Sequence, residues 1–419
     1  MMHNLHMTMI RTFQPVGQGA FYTEQFSKDD SEVFNLVYDC GSDSLDIQSL
    51  SNVIKKSFPR ESVIDAVFIS HFDSDHVNGL PELMRNYKVK KIFLPLITGA
   101  AEIAYWRFKS NVDSLDEKRK TIPIADRFLD PANDNSLEKI FRDFSHQDFP
   151  EIIRIQQLEG DARPDETTRN ICDSLGLPDW LLMPFNFKRF ERESEFRGIL
   201  SEAISDVAAG TTADDFIADP TEVFRRIGFK KSKELLRSIN KITRQRLRIK
   251  QFRARFGSIN GNSMALYSGE QEKDGKSCFS LVCHCDDSRK YKAGCLYLGD
   301  YEAQDGKAWT KLVSFYKAMK CWHGIGCVQL PHHGSRHDFN PEIVKMDACS
   351  AVSFGLGNMH HHPGKDVILS LLRNNRTIIF STEANFYKNF KNVQQTIKKN
   401  SERLMKDRAQ KLGACHLKQ

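Results

Sequence analysis

Residues 63–70 read Val-Ile-Asp-Ala-Val-Phe-Ile-Ser, an apolar and β-branched run without the alternation of a half-exposed strand. A run of this kind marks a strand buried on both faces, and two buried faces require covering layers above and below. The run stops at His71-Phe72-Asp73-Ser74-Asp75-His76. The helical pattern His-Val-Asn-Gly-Leu-Pro-Glu-Leu-Met-Arg-Asn-Tyr then begins at His76. Strand C-termini are where layered α/β folds hold their ligands. Imidazole and carboxylate are the side chains that bind divalent cations, so His71, Asp73, Asp75 and His76 on one tight loop predict a metal site.

Around this loop the 419-residue chain divides into zones. Residues 1–96 alternate short strands with helices. Val-Phe-Asn-Leu-Val-Tyr-Asp-Cys-Gly ends a strand at Asp39 to Gly41, residues 45–58 have helical periodicity, and Lys-Lys-Ile-Phe-Leu-Pro-Leu is a further strand. Residues 97–257 are charged and mostly helical in pattern, with strand signals only in Glu-Ile-Ile-Arg-Ile-Gln and Asp-Trp-Leu-Leu-Met-Pro-Phe; they read as an insertion. Residues 258–385 return to strands. Ser-Met-Ala-Leu-Tyr-Ser-Gly, Cys-Phe-Ser-Leu-Val-Cys-His-Cys and Lys-Ala-Gly-Cys-Leu-Tyr-Leu-Gly-Asp are expected to pair antiparallel. Residues 386–419 read as a charged C-terminal helix.

No stretch of about 18 apolar residues predicts a membrane span, and the N-terminus lacks the basic and apolar regions of a secretory signal. The ten cysteines form no disulfide framework. A cytoplasmic protein with reduced thiols and no membrane partner is the expectation. Cys283 and Cys285 flank His284, but no second pair follows, so they read as plain strand cysteines.

The net charge of +6 is mild, but it is unevenly placed. From Arg225 to Arg255 thirteen lysines and arginines, among them Arg244, Arg246 and Arg248, stand against the single acid Glu234. Such a stripe can neutralise phosphates. It is equally the solvated face of a packed helix, because Leu235, Leu236, Ile239, Ile242, Leu247 and Ile249 recur within it at helical spacing.

The loop 71–76 resembles the His-x-His-x-Asp-His signature of the metallo-β-lactamase superfamily, with Asp73 in place of the second histidine. That variant is similar to the hydrolase domain of the ComEC-type competence proteins. Further segments resemble that family's motifs in the same order: Pro-Val-Gly-Gln-Gly-Ala-Phe (15–21), Val-Tyr-Asp-Cys-Gly (37–41), Asn-Gly-Asn-Ser-Met-Ala-Leu (260–266), Cys-Leu-Tyr-Leu-Gly-Asp-Tyr-Glu (295–302), Val-Gln-Leu-Pro-His-His-Gly-Ser-Arg-His-Asp (328–338) and the Gly-His-Pro-like turn within 354–368. Asn78 departs from the family, as do the extra histidines His360 and His361 and the absence of a membrane channel.

The resemblance implies a four-layer αβ/βα sandwich, here with a mostly helical insertion, and two divalent ions, Mn²⁺ or Zn²⁺ with Mg²⁺ as a third candidate. It implies that His71 and Asp73 hold one ion, that Asp75 and His76 hold the other, and that Asp300 bridges them. His332 completes the second ion's shell, with His333 as the fallback. Asn260 or Asn262 stands where other members supply a histidine. Asp75, Asp300 and His362 are the expected catalytic residues, His362 touching the substrate phosphate or protonating a leaving oxygen. Asn262, His333, Ser335 and the stripe arginines are expected on the substrate side, although Ser335 alone reads as a hydrogen-bonding loop residue. The activity implied is a metal-dependent phosphodiesterase or nuclease acting on nucleic acid through a metal-activated water, with protein partners left open. A small-molecule phosphodiesterase of the cyclic-nucleotide or phosphocholine type, and a non-catalytic metal-bearing interaction module, are the alternatives.

Overall fold

The computed structural model describes residues 7–28, 31–115, 129, 150–158, 180–187, 191–257, 259–260, 263–270, 279–281 and 292–384. Asn262, the Cys283–Cys285 segment and residues 386–419 lie outside them.

The doubly buried run forms β4 (Val63–Phe68), which lies between β3 (Ser31–Cys40) and β5 (Lys88–Pro95) and is parallel to both. Beyond β3, β2 (Phe21–Lys28) and β1 (Met7–Phe13) continue antiparallel, and β9 (Phe279–Leu281) adds parallel to β1. Beyond β5, β6 (Glu151–Ile155) closes the other edge of this seven-stranded sheet. The second sheet has six strands. Its parallel half runs β10 (Gly294–Tyr297), β11 (Ile325–Gln329), β12 (Cys349–Ser353) and β13 (Ile378–Ser381). Its antiparallel half adds β8 (Ala265–Glu270) and then β7 (Trp180–Phe185).

Three apolar cores separate four layers. Between the sheets lie Met9, Phe26, Phe34, Tyr38, Phe68 and Phe93 against Trp180, Leu266, Cys295, Tyr297, Cys327 and Ile379. Outside the first sheet pack α1 (Ile47–Lys55), α2 (Ser74–Val77) and α3 (Leu80–Asn86). Outside the second pack α9 (Gly306–Ala318) and α10 (Lys365–Arg373). Helices on the outer face of each of two stacked mixed sheets make the expected αβ/βα sandwich.

The middle of the chain differs from its sequence reading. The strand signals at 151–155 and 180–185 are β6, an edge of the first sheet, and β7, an edge of the second. Residues 97–257 are therefore no pure insertion, because the chain crosses from one sheet to the other inside them. The helical part comprises α4 (Ala100–Ser114), α5 (Arg192–Val207), α6 (Ala213–Ala218), α7 (Pro220–Arg246) and α8 (Lys250–Phe256). Their apolar faces continue the outer core of the first sheet through Tyr105, Phe108, Phe196, Leu235 and Ile239. A buried ion pair, Arg192 to Glu102 at 2.8 Å, ties α5 to α4. The second of the three expected antiparallel neighbours also differs: residues 279–281 leave β8 and β10 and join β1 in the first sheet. Strand composition alone does not specify a partner, and both sheets here offer an edge.

Among the described residues no helix is long and apolar enough to cross a membrane.

Candidate metal centre

Chain turns at the ends of β3, β4 and β11, together with the segment after β10, bring the polar residues to one point between the sheets. The loop after β4 is seated by two glycines. A Cβ on Gly41 would lie 2.5 Å from the Asp75 carbonyl carbon, and one on Gly19, whose φ is +148°, would lie 2.8 Å from the Asp75 oxygen. That oxygen accepts the Ala20 N–H at 3.0 Å. Only glycine allows the 15–21 and 37–41 segments to lie this close to the Asp75–His76 backbone.

His71 and His76 are buried, and each has its Nδ1 held from behind. His71 Nδ1 meets the hydroxyls of Ser70 at 2.9 Å and Ser263 at 3.1 Å. His76 Nδ1 lies 2.8 Å from Asp39 Oδ2. His333 Nδ1 donates to the Ser353 carbonyl at 3.0 Å. A carbonyl or carboxylate can only accept, so in the neutral rings of His76 and His333 the proton sits on Nδ1 and the Nε2 lone pair faces inward. His76 Nε2 then lies 3.3 Å from Asp300 Oδ1, and His333 Nε2 lies 3.2 Å from Asp75 Oδ2.

Two groups of ligand atoms close enough to share an ion result: His71, His76 and Asp300, and Asp75, His76 and His333. The buried side-chain atoms without a hydrogen-bond partner include His71 Nε2, His76 Nε2, His333 Nε2 and Asp300 Oδ1. Each such orphan costs about 1–3 kcal/mol if nothing satisfies it. These orphans belong to the two ligand groups, and each group fits a divalent cation, which accepts the lone pairs of its members together.

The neighbouring histidines after β11 take different directions. His332 and His333 both have left-handed backbones, with φ of 48° and 55°. Such conformations are strained for residues other than glycine, and they concentrate at functional sites. The turn sends His333 to Asp75. It sends His332 to Asp338, 2.8 Å from Nδ1, leaving His332 Nε2 3.6 Å from Asp300 Oδ2. The second ligand group thus contains His333, the fallback, whereas His332 flanks Asp300. Asp300 and Asp338 together raise the His332 imidazole to about 10 against the lowering effect of burial.

Asp73 stands apart from both groups. Its Oδ1 lies 2.6 Å from the Lys109 ammonium of α4, and its Oδ2 accepts Asn260 Nδ2 at 3.0 Å. The same amide reaches Asp300 Oδ2 at 2.9 Å. Burial pushes the Asp73 carboxyl up, but Lys109 and His71 together hold the group below its ordinary range. Of the two asparagines considered, Asn260 is therefore the one placed at the centre, and Asn262 is outside the described residues.

His362 closes the outer side, its ring 5.4 Å from that of His332. Burial and then the neighbouring imidazoles His332 and His333 lower its pKa to about 3. Ser335 is buried in the turn, and its Oγ accepts the His337 N–H at 3.2 Å. Arg244 and Arg248 are exposed on the insertion, and Arg246 is paired with Glu202 at 2.6 Å.

Sequence reasoning gave no role to Asp39, Asp338, Ser263 or Lys109. The first three lie inside or beside segments that carry motifs, where a carboxylate or hydroxyl supporting a histidine could have been sought. Lys109 has no local signal at all, since only the packing of α4 brings it near.

A buried set of imidazoles and carboxylates at the edge of an αβ/βα sandwich could hold a divalent metal ion. Residues 31–151 match the model of the Metallo-beta-lactamase superfamily. The match includes the loop 71–76, whereas Asp300, His332 and His333 come from the second half of the sandwich. No curated protein matches the chain.

Proposed function

We propose that the protein hydrolyses phosphodiester bonds in nucleic acid. The observation that carries this reading is a cleft of about 690 Å³ beside the centre. His362 lines it, next to the basic or titratable side chains Arg336, His337, His360 and Lys365, and Phe354, Leu356 and Phe380 form an apolar wall. Cationic groups beside an apolar wall suit a nucleotide, whose phosphate is anionic and whose base packs on apolar side chains.

Asp75, His76, His333 and Asp300 would hold a divalent ion, which supplies Lewis-acid polarisation of a phosphoryl oxygen and a more acidic water. The chain's own groups do the rest. Asp39 and the Ser353 carbonyl fix the rings of His76 and His333, so that the ligand set is ordered before substrate arrives. Arg336 and Lys365 would attract the phosphate chain into the cleft. His362, between cleft and centre, is placed to hydrogen-bond a phosphoryl or leaving oxygen. The exposed arginines and lysines of α7 would extend the interaction along a polymer.

The test is parallel cleavage of linear DNA, linear RNA, a cyclic dinucleotide and a phosphocholine ester, with Mn²⁺ or Zn²⁺ added. Cleavage of a linear polymer is expected. Cleavage of only the small esters would replace the proposal with a small-molecule phosphodiesterase. Bound metal without any cleavage would point to a non-catalytic module.

A further inference from the structure

We infer that the centre is asymmetric, with one tightly held divalent ion and a second ion position guarded by Lys109. The inference rests on reading this site as a metal centre, and it concerns which of the chain's own groups compete for it.

The two positions differ in what the chain already supplies. At the first, Asp75, His76 and His333 offer three ligand atoms within 4.8 Å of one another, and Asp300 Oδ1 lies 3.3 Å from His76 Nε2. Among the described residues, Asp75 pairs with His333 and with no lysine or arginine. No lysine or arginine needs to leave before an ion enters.

At the second, His71 Nε2 shares a ligand group with His76 and Asp300, but an ion at the first position engages His76 Nε2 and Asp300 Oδ1, so of the unpartnered ligand atoms only that of His71 is left. Asp73, the carboxylate that would complete it, is engaged at both oxygens, by Lys109 at 2.6 Å and by Asn260 at 3.0 Å. Asp73 is accordingly absent from both groups of ligand atoms, and its Oδ2 lies 3.8 Å from His71 Nε2. Asn260 presents its amide hydrogens, donors rather than ligands, toward Asp73 and Asp300.

Lys109 is held in this position. Its ammonium also lies 2.7 Å from Asp113 Oδ2 one helical turn along α4, and its side chain is only 15 % exposed. The insertion helix thus delivers a fixed positive charge to the carboxylate that a second ion would require. An arriving divalent ion must displace that ammonium and then meet its repulsion at short range in a poorly screened site. Filling is therefore sequential, and the second ion binds roughly 100-fold or more weakly than the first.

The experiment uses the full chain stripped with a chelator, as wild type, Lys109→Met and Lys109→Arg. Each is titrated with Zn²⁺ and, separately, Mn²⁺ by calorimetry, and the ions retained after gel filtration are counted by elemental analysis. The expected result is one ion retained by wild type and by Lys109→Arg, and two by Lys109→Met, with the gap between successive affinities closing in that variant. Methionine keeps the aliphatic stem. If circular dichroism shows it unfolded, Lys109→Gln takes its place. Two ions retained by wild type, or one by a folded Lys109→Met or Lys109→Gln, overturns the inference. Retention of no ion by any form overturns it together with the metal centre itself. The expected ion counts without cleavage of any phosphodiester would uphold it and fail only the proposed function.

Discussion

Asp39 Oδ2 lies 2.8 Å from His76 Nδ1, and both residues are buried. The same carboxylate accepts the Ser70 N–H and the Ser70 hydroxyl, each at 2.7 Å. One side chain at the end of β3 thus fixes both the ring of His76 and the turn that follows β4. Its own backbone is left-handed, with φ of 55°, a conformation that the surrounding hydrogen bonds hold in place.

Removing that support should weaken metal binding without removing a ligand. Asp39→Ala is expected to lower affinity roughly 10- to 100-fold, the usual effect of losing a residue behind a ligating histidine. Competition with a chromophoric zinc chelator measures this. An affinity within about twofold of wild type would show that His76 needs no orientation from Asp39.

Asp75→Ala and Asp300→Ala each delete a carboxylate that faces an imidazole Nε2, at 3.2 Å from His333 and 3.3 Å from His76. Both variants should lose turnover to background while far-ultraviolet circular dichroism stays unchanged. Near-native cleavage by either folded variant would remove that residue from the site.

Metal preference follows from the donor set. Two imidazoles and two carboxylates around the first position are an oxygen-rich version of a zinc site, which Mn²⁺ also suits. Activity of the chelator-treated protein should return with Mn²⁺ or Zn²⁺ and not with Ca²⁺, which prefers about six to eight oxygens. Full recovery with Ca²⁺ alone would contradict the imidazole ligation.

Gly41→Ala tests the seat of the loop. Its new methyl would meet the Asp75 carbonyl carbon at 2.5 Å, so the backbone must shift. A loss of about 1–3 kcal/mol in urea unfolding is expected, together with weaker metal binding. Unchanged stability and affinity would mean that the loop has room the structure does not give it.

The basic stripe makes a separable prediction. Replacing Arg244, Arg246 and Arg248 by Glu should weaken binding to a linear nucleic acid and flatten the slope of log affinity against log salt by roughly 2–3, about 0.9 for each phosphate no longer neutralised. Hydrolysis of a small chromogenic phosphodiester should persist. Arg246 already faces Glu202, so Arg246→Glu alone should change binding least. No change in either assay for the triple variant would make the stripe an ordinary solvated helix face.

Local sequence was sufficient for β4, because an eight-residue apolar run has no other stable placement than between two layers, and for the loop His71–His76, because its residues are contiguous. The glycines of 15–21 and 37–41 were legible as motifs, but their reason, the close approach to Asp75, exists only once β2 and β3 lie beside that loop. Tertiary structure decided the rest. Whether His332 or His333 meets Asp75 depends on two left-handed residues in one turn, which no spacing rule encodes. The partner of residues 279–281 depends on which sheet edge is open, so β9 left its sequence neighbours. Lys109 reaches Asp73 from 36 positions away, because the apolar face of α4 packs on the first sheet and carries the lysine with it. Sequence names the groups able to carry charge; packing decides which of them share a pocket.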